Sequence, residues 1–384
     1  MFNSNIFFKK LLLLLFHLLL LFVYLTTIAA VTISPLYAFI KFSDAAFPEI
    51  ITSGRGLAMG NAFICKVDDS SSVFYNPAGL GSVRKGHFHL TNIHLETNKD
   101  LINASSSGGA SDVASNATKG FSYDGTRQLL LENRGKIVYN RVHFMPNLTL
   151  RFVSIGYAYS LQRRATLGLE EDAKFELASR EDYGPYGALN LSLFGGVFKF
   201  GVTGMYLGRN ELYVEQDPNT SVETEDSSYY KGSMFLIIVG GKITLPISFL
   251  PTIAVKKNNV SNKEFKGRAA GEPAKMKDAL DVGFSLTPQI GKYIRIHMEA
   301  DYKDATNKHS DVSSSRKLMA GLEFDFGRLM FLRFGYGDGF GSGGIGLKTK
   351  KLEFDLTTYA VDATTNEFRG KEDRHFSMTI SSGI

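Results

Sequence analysis

The sequence has a single cysteine, no tryptophan and only one long apolar run. Cys65 stands alone among 384 residues, which excludes a disulfide framework and a thiolate metal cluster. Beyond the N-terminal region no run of 18 or more apolar residues occurs, so the sequence predicts no second membrane helix. Lys and Arg number 43 against 38 Asp and Glu, and this near balance argues against a nucleic-acid partner.

The one long apolar run lies at the N-terminus and has the layout of a secretory signal. Two lysines precede it, and Pro35 and small residues near Ala38 and Ala45 follow it. Its length leaves an uncleaved helical anchor as the alternative, but a proline would break such a helix. We expect a signal peptide over residues 1–38, cleaved between 30 and 46. Its removal takes away two lysines and no acid and lowers the formal net charge from +5 to +3.

From about residue 86 onward the sequence alternates between apolar and polar residues. KYIRIHMEADY (292–302), KLMAGLEFDF (317–326) and LEFDLTTYA (352–360) each have one apolar face and one face with full charges. A period of two residues is the signature of a β-strand. About 14 or 15 such segments of roughly 8–11 residues occur, which is the length that crosses a bilayer at a tilt.

Short turns and long polar loops alternate between these segments. We expect short turns at 289–291 and 326–328, and the predicted long loops cover 98–134, 208–230, 256–277, 304–315 and 361–373. Turns at one end and loops at the other are typical of outer-membrane barrels. RHFSMTISSGI (374–384) continues the alternation to the C-terminus, where it would close the sheet.

A soluble β-sandwich is the alternative to a membrane barrel, because its strands also alternate. Full charges in the middle of the polar faces argue against it, since a sandwich core needs hydrocarbon there. The apolar faces are rich in Phe, Tyr and Leu, as lipid contact requires. The sequence therefore predicts an all-β fold, a transmembrane antiparallel β-barrel of about 14 strands over residues 86–384.

Residues 47–82 do not alternate cleanly and are rich in glycine and turn residues. Pro77 fixes its own φ and favours Asn76 as the N-cap of a short helical turn through Ala78. The exposed amides of that turn could hold a carboxylate or a barrel side chain, and a local cap without any ligand is the simpler alternative. A compact element ahead of a barrel fits inside the lumen as a plug. We call residues 39–85 the hatch segment.

The stretch SGRGLAMGNAFICKVDDSSSVFYNPAGLG resembles the N-terminal hatch of the outer-membrane fatty-acid transporter (FadL/TodX) superfamily, with Asn76, Pro77 and Ala78 as the matching triplet. LRFGYGDGFGSGGIGLKTKKLEFDLTTYA (332–360) is similar to the closing hairpins of PorV-like members. The two matches cover about the first 35 mature residues and the last 50, and the middle matches only in strand pattern.

The resemblance implies an outer-membrane channel for passive uptake of hydrophobic compounds such as long-chain fatty acids, gated by the hatch segment. It equally leaves open a PorV-like partner of a protein export system, or a structural barrel without transport. Because the charged strand faces offer no apolar wall, we expect an apolar ligand to contact the long loops or the hatch residues Phe63, Ile64, Phe74 and Tyr75.

The predicted inward face of the barrel carries many ionisable side chains. One interpretation is a polar conduit or a binding wall for a charged headgroup. The other, which we favour, is a structural network that rigidifies the barrel and docks the hatch segment, because buried charges must be paired. The residues are Arg295, His297, Glu299, Asp301, Glu323, Asp325, Arg333, Glu353 and Asp355.

The sequence predicts no catalytic, cofactor or metal site. GFGSGG (339–344) contains Gly-x-Gly-x-x-Gly, but alternating strands flank it, so Asp338-Gly339 predicts a hairpin rather than a dinucleotide site. His87 and His89 share one strand face without an evident third ligand. No Ser/His/Asp arrangement stands out. The expected partners are membrane lipid, a hydrophobic small molecule or, in the alternative, an export-system protein.

Overall fold

The computed structural model describes residues 45–47, 50–84, 86–106, 119–269, 271–291, 293–364 and 367–383. The predicted signal peptide and part of the hatch segment lie outside these residues. The described residues belong to one compact unit. Within them, no helix combines the length and the apolar character needed to cross a membrane.

The described part of the chain forms one antiparallel sheet of seventeen strand segments and four short α-helices. The helices are α1 (Gly54–Ala58), α2 (Ser72–Tyr75), α3 (Lys99–Ser105) and α4 (Tyr123–Glu132), and 3-10 turns cover Pro77–Ser82, Phe194–Gly196, Asp226–Ser228 and Ser314–Lys317. The strand segments are β1 (His87–Asn98), β2 (Ile137–Phe144), β3 (Asn147–Thr149), β4 (Val153–Leu167), β5 (Phe175–Leu193), β6 (Phe198–Gln216), β7 (Tyr230–Thr244), β8 (Thr252–Lys257), β9 (Lys266–Ala269), β10 (Leu280–Leu286), β11 (Gln289–Ile290), β12 (Ile294–Tyr302), β13 (Leu318–Phe326), β14 (Met330–Gly337), β15 (Phe340–Lys348), β16 (Leu352–Asp362) and β17 (Glu372–Gly383).

The sheet closes on itself because β17 pairs with β1, with Ile93 opposite Ile380 and Asn98 opposite His375. Three pairs of consecutive segments share one position in the wall: β2 with β3, β8 with β9, and β10 with β11. The described wall therefore has fourteen strands. The predicted antiparallel barrel of about 14 strands, closed by the C-terminal segment, is confirmed.

The connections separate into a turn end and a loop end of the barrel. Among the described residues, the turns 150–152, 327–329 and 349–351 lie at one end, and the longer connections 99–106, 119–136, 217–229, 303–317 and 367–371 lie at the other. At the loop end, Asp338 and Gly339 make a tight turn between β14 and β15 with φ of 50° and 90°. Positive φ at both central residues is the hairpin geometry that Asp-Gly favours.

Several predicted strand and loop bounds are wrong. Residues 208–216 were expected in a loop but continue β6, because inward-facing Arg209 and Glu211 pair with Asp182 and Arg180 of β5. The predicted loop 98–134 contains α3 and α4, the loop 256–277 contains β9, and the predicted turn at 289–291 begins with β11. Strands β4, β5 and β6 have 15, 19 and 19 residues rather than about 8–11. Because charged residues that pair across neighbouring strands can lie within a strand, a polar stretch does not by itself mark where a strand ends.

Apolar side chains cover the outer face of the barrel all the way round. Soluble proteins rarely expose contiguous apolar patches beyond a few hundred Å², so this belt suits contact with acyl chains. Closure leaves no unpaired sheet edge within it. Exposed members from successive strands are Leu95, Leu148, Ile155, Leu191, Phe200, Phe235, Ile253, Phe284, Tyr302, Leu318, Phe334, Ile345, Leu356 and Ile380.

Candidate functional site

Residues 50–84 of the hatch segment lie inside the barrel, bonded to inward-facing side chains from opposite sides of the wall. Thr357 of β16 donates to the Gly54 carbonyl at 2.8 Å, and Thr203 of β6 donates to the Val73 carbonyl at 2.7 Å. Most of these hatch residues are buried. The segment therefore occupies the lumen between distant strands.

Two inward-facing glycines let the hatch segment approach the wall closely. A Cβ at Gly240 of β7 would overlap Oδ1 of Asn76, and a Cβ at Gly335 of β14 would overlap the backbone of Gly60. Only glycine leaves that space free. At Gly240 the close atoms belong to the hatch segment, whereas at Gly335 a Cβ would also meet the Ser342 hydroxyl of the wall.

Asn76 caps the 3-10 turn that begins at Pro77. Its backbone is extended (φ −166°, ψ 106°), and its Oδ1 accepts from the amide of Ala78 at 3.1 Å. Its Nδ2 donates to the Ile64 carbonyl at 3.0 Å. Asn190 of β5 donates to the Ala78 carbonyl at 3.2 Å. The Asn-Pro-Ala triplet thus joins two parts of the hatch segment to each other and to the wall.

Two buried carboxylates of β12 hold consecutive backbone amides of the hatch segment. Oδ2 of Asp301 accepts from the amides of Phe63 and Ile64, at 2.9 and 3.2 Å. Glu299 accepts from the next two amides, at 2.6 and 3.0 Å. Carboxylates that bond a run of backbone amides fix that run in place. Burial raises the pKa of the adjoining Cys65 thiol, so this cysteine is a neutral packing residue.

Arg55 links the hatch segment to a second group of the predicted lumen residues. Its Nε and Nη2 donate to Glu323 of β13 at 2.7 and 2.8 Å, and its Nη1 donates to Asp68 at 2.7 Å. Arg333 of β14 also donates to Glu323, at 2.9 Å, and to Asp355 of β16. Burial opposes ionisation of Asp68, but the Arg55 guanidinium outweighs it and holds the pKa of that carboxyl well below its usual range.

The remaining predicted lumen residues lie next to other residues of the wall. Nε2 of His297 lies 2.7 Å from Oε2 of Glu299, and Arg295 lies opposite Asp325 across the β12–β13 pair. Asp325 accepts from the amide of the following turn at 2.6 Å, and Glu353 pairs with a lysine of β15. The predicted set therefore divides into residues that touch the hatch segment and residues that bond only to the wall among the described contacts.

Strands β4 to β7 present an apolar inner wall that the sequence analysis missed. Its inward residues are Ala158, Tyr186, Ala188, Met205, Leu207, Met234, Leu236 and Ile238, and the hatch residues Ile50, Ile51, Val73, Phe74, Leu80 and Val83 pack against them. The rings of Phe74 and Tyr186 meet edge to face, with centroids 5.3 Å apart. The expectation that the strands supply no apolar wall is wrong. The cause is that β7 is apolar on both faces and shows no alternation.

A cavity of about 600 Å³, counting the part open to solvent, lies beside the hatch segment toward the loop end. Of the four hatch residues predicted to contact a ligand, Phe74 and Tyr75 line it. Phe63 packs on Tyr75 at 5.2 Å between ring centroids, and Ile64 packs on Ala254. The lining combines an apolar set (Phe47, Ile50, Ile238, Met276) with a charged set (Lys256, Lys277, Lys303, Asp281, His309).

A second cavity, of about 630 Å³ by the same measure, lies toward the turn end. Its lining is mostly polar and includes Thr52, Arg55, Asp69, His143, Arg333, Lys348, Glu353 and Asp355. Hatch residues belong to the lining of both cavities. The hatch segment therefore borders both an apolar, cationic space and a polar one.

The predicted histidine pair does not belong to either group of potential metal ligands among the described residues. The rings of His87 and His89 lie 4.3 Å apart. The two groups are His94, Glu96 and His143, and Cys65, Glu299 and Asp301. Sequence reasoning missed the first group because pairing of β1 with β2 brings His94 opposite His143.

Comparison with known proteins gives only distant similarity. No protein-family model matches the chain, and no curated protein matches it in sequence. The toluene transporter TbuX of Ralstonia pickettii is similar with a TM-score of 0.48 and 11% identity over 87% of this chain and 98% of that one. The CymD monoaromatic hydrocarbon channel is similar with a TM-score of 0.47 and 8% identity, over 86% of this chain and 97% of that one. CdiB from Acinetobacter baumannii is similar with a TM-score of 0.34 and 9% sequence identity, and the match covers 79% of this chain and 60% of that one.

Proposed function

We propose that the protein is an outer-membrane channel for passive uptake of hydrophobic compounds such as long-chain fatty acids, gated by the hatch segment. The apolar inner wall of β4 to β7 carries the proposal. Hatch side chains cover this wall in the docked state. A hydrophobic molecule that replaced them would keep the apolar surface out of water, so the exchange would cost little.

The cavity at the loop end fits the capture step of this mechanism. It offers apolar contacts from Phe74 and Ile238 together with the exposed ammonium group of Lys277. A molecule with an apolar body and an anionic group finds partners for both parts there. Phe74 also touches the apolar wall, so a captured molecule would already lie at the seam between hatch segment and barrel.

Movement of the hatch segment is the gating step. In the docked arrangement it lines both cavities, and in this mechanism a solute crosses when the segment moves away from the wall. The contacts that must break include the Arg55–Glu323 ion pair and the hydrogen bonds that hatch backbone amides donate to Asp301 and Glu299. The polar cavity beyond them would pass the solute toward the turn end.

Uptake of labelled oleate tests the proposal in a strain that lacks the gene. We expect the wild-type gene to restore uptake, Met205→Gln in the apolar wall to lower it several-fold, and the volume-conserving Met205→Leu to retain it. Equal levels of folded barrel are verified for each strain by heat-modifiable gel migration. Uptake that stays at the empty-vector level with the wild-type gene would remove the proposal.

The second candidate is a barrel that acts as an export-system partner or as a structural element. The strength of hatch docking favours it, because four consecutive amides and Arg55 are held by buried carboxylates. Such bonds oppose gating motion. Loss of protein secretion in the deletion strain, with unchanged oleate uptake, would favour this candidate over the channel.

A further inference from the structure

We propose that His94, Glu96 and His143, together with Thr52 of the hatch segment, form a binding site for a divalent transition-metal ion of the zinc type. His94 and Glu96 come from β1 and His143 from the adjacent β2. All four side chains are buried. Two imidazoles and a carboxylate are a protein donor set suited to zinc, and the Thr52 hydroxyl would face the fourth position.

Ligand atoms of His94, Glu96 and His143 lie within 4.8 Å of one another, and each residue is within hydrogen-bond distance of the Thr52 hydroxyl. Oγ1 of Thr52 lies 3.3 Å from Nε2 of His94, 3.2 Å from Nε2 of His143 and 2.7 Å from Oε1 of Glu96. Nε2 of His94 lies 2.6 Å from Oε1 of Glu96. Tetrahedral zinc with bonds of about 2.1 Å places its ligand atoms about 3.4 Å apart. The hydroxyl-to-imidazole separations already match this value, and the carboxylate needs to move outward by less than about 1 Å.

Neighbouring groups orient two of the ligands as outer partners of a metal site do. Oε2 of Glu96, the oxygen turned away from the site, accepts from Tyr359 at 2.7 Å and from Tyr139 at 3.2 Å. Nδ1 of His94 lies 2.6 Å from Oγ1 of Thr379. Such contacts fix the ligating atom of a carboxylate or imidazole and raise metal affinity.

His143 is the ligand whose ring must turn before an ion can bind. Its ring stacks on the His94 ring at 4.2 Å with an interplanar angle of 9°, and its Nδ1 has no hydrogen-bond partner in the described structure. An ion lies in the plane of each imidazole that binds it, so ligation requires the His143 ring to turn out of the stack. No bond at Nδ1 opposes that turn.

The site is reached from the polar cavity and involves the hatch segment. Thr52 and His143 both line the cavity at the turn end, which supplies an entry path. Thr52 immediately precedes Ser53, the N-cap of α1. A bound ion would therefore tie the start of α1 to β1 and β2. The inference stands apart from the proposed transport, because none of the ligands belongs to the apolar wall that carries that proposal.

Titration of the full-length protein in detergent, after removal of metals with EDTA, tests the site. We expect calorimetry with Zn²⁺ to give one bound ion per chain, and Co²⁺ to give the intense visible absorption of a tetrahedral site. His94→Ala and His143→Ala should abolish both signals. The matched variants His87→Ala and His89→Ala, which alter the other histidine pair of β1, should retain them. Because imidazole must be deprotonated to bind, affinity should fall at acidic pH.

Tyr359→Phe keeps the test decisive if a buried histidine variant fails to fold. It leaves all four ligands in place and removes one bond to Glu96, so we expect affinity to fall by about 10–100-fold. The proposal is overturned if the wild-type protein binds no ion. It is equally overturned if binding survives in a folded His94→Ala or His143→Ala protein, or is lost in the His87→Ala and His89→Ala controls.

Discussion

Arg55 of the hatch segment and Glu323 of β13 form a two-point ion pair, although 268 residues separate them in sequence. The distances are 2.7 and 2.8 Å, and the side chains are 13% and 1% exposed. Planar two-point bonding of this kind fixes orientation as well as distance. The pair joins the hatch segment to the wall through a planar, two-point geometry that a lysine would not supply.

Arg55→Gln should weaken docking of the hatch segment. Loss of one partner of a buried pair costs about 3–5 kcal/mol, and we expect the low end because Arg333 still pairs with Glu323. Liposome-swelling assays should show faster entry of small sugars. Lys174→Gln is the control, since Lys174 and Glu215 form an exposed pair of the kind worth only about 0–1 kcal/mol. Equal permeability of the two variants would refute Arg55 as an anchor.

Replacement of Asn76 and Pro77 should also loosen the plug. Asn76→Ala removes the cap on Ala78 and the bond to the Ile64 carbonyl, and loss of an N-cap alone costs about 1 kcal/mol. We expect raised solute entry in liposomes for Asn76→Ala and a larger rise when Pro77→Ala is added. Asn219→Ala in an exposed loop serves as the control. Unchanged permeability would mean that the triplet does not seal the lumen.

Gly240→Ala tests the close approach of hatch segment and wall. The new Cβ would overlap Oδ1 of Asn76, and overpacking of this kind costs about 1–3 kcal/mol. Gly187→Ala is the matched control in β5, because a Cβ there meets nothing within 4 Å. We expect a lower thermal midpoint and higher solute entry for Gly240→Ala alone. The same defects in a Gly187→Ala protein would mean that replacing a strand glycine destabilises the barrel by itself, and would contradict the assigned role of Gly240 in docking.

The loop 303–317 should loosen at acidic pH because Asp304 holds it. Burial opposes ionisation of Asp304, but bonds from Nζ of Lys317 and the amides of Lys308 and His309, each 2.8 Å, hold its pKa below the ordinary value. The stability that this carboxylate contributes is present above its unfolded pKa of about 3.9 and is lost as pH falls through the lower folded pKa.

Hydrogen exchange of the loop gives the measurement for Asp304. We expect wild-type exchange in 303–317 to rise as pH falls below about 4, after correction for the intrinsic pH dependence of exchange. Asp304→Asn should show raised exchange already at neutral pH and little further change on acidification. A wild-type loop whose corrected exchange does not change with pH would contradict the assignment.

The barrel and the phase of its charged strands could be predicted because β12 and β13 alternate full charges with apolar residues. Burial of Glu299, Asp301 and Glu323 follows from that alternation. Only the structure reveals what these carboxylates touch, since Asp301 meets the amide of Phe63, 238 positions earlier in the chain. The local pattern determines which face of a strand a residue occupies. It does not identify a contact partner that lies far away in the sequence.

The apolar wall and the histidine cluster could not be read from single strands. Met234, Leu236 and Ile238 alternate with outward apolar residues, so both faces of β7 look alike. A strand that is apolar on both faces, as β7 is, indicates an apolar environment on both sides of the sheet. This feature of the sequence could have revealed the apolar wall. His94 and His143 become neighbours only through the register of β1 and β2, which depends on the whole sheet.

A reversible covalent lock of the hatch segment tests gated uptake most directly. A Cβ at position 240 lies 3.0 Å from Cγ of Asn76, where a cysteine sulfur would stand, so Asn76→Cys with Gly240→Cys places a disulfide across the seam. The measurement is labelled oleate uptake by cells that carry this double variant, before and after treatment with a thiol reductant. We predict uptake near the empty-vector level when the disulfide is formed and recovery of uptake on reduction, with each single-cysteine variant unaffected by reductant. Full uptake through the disulfide-bonded protein would contradict gating by the hatch segment.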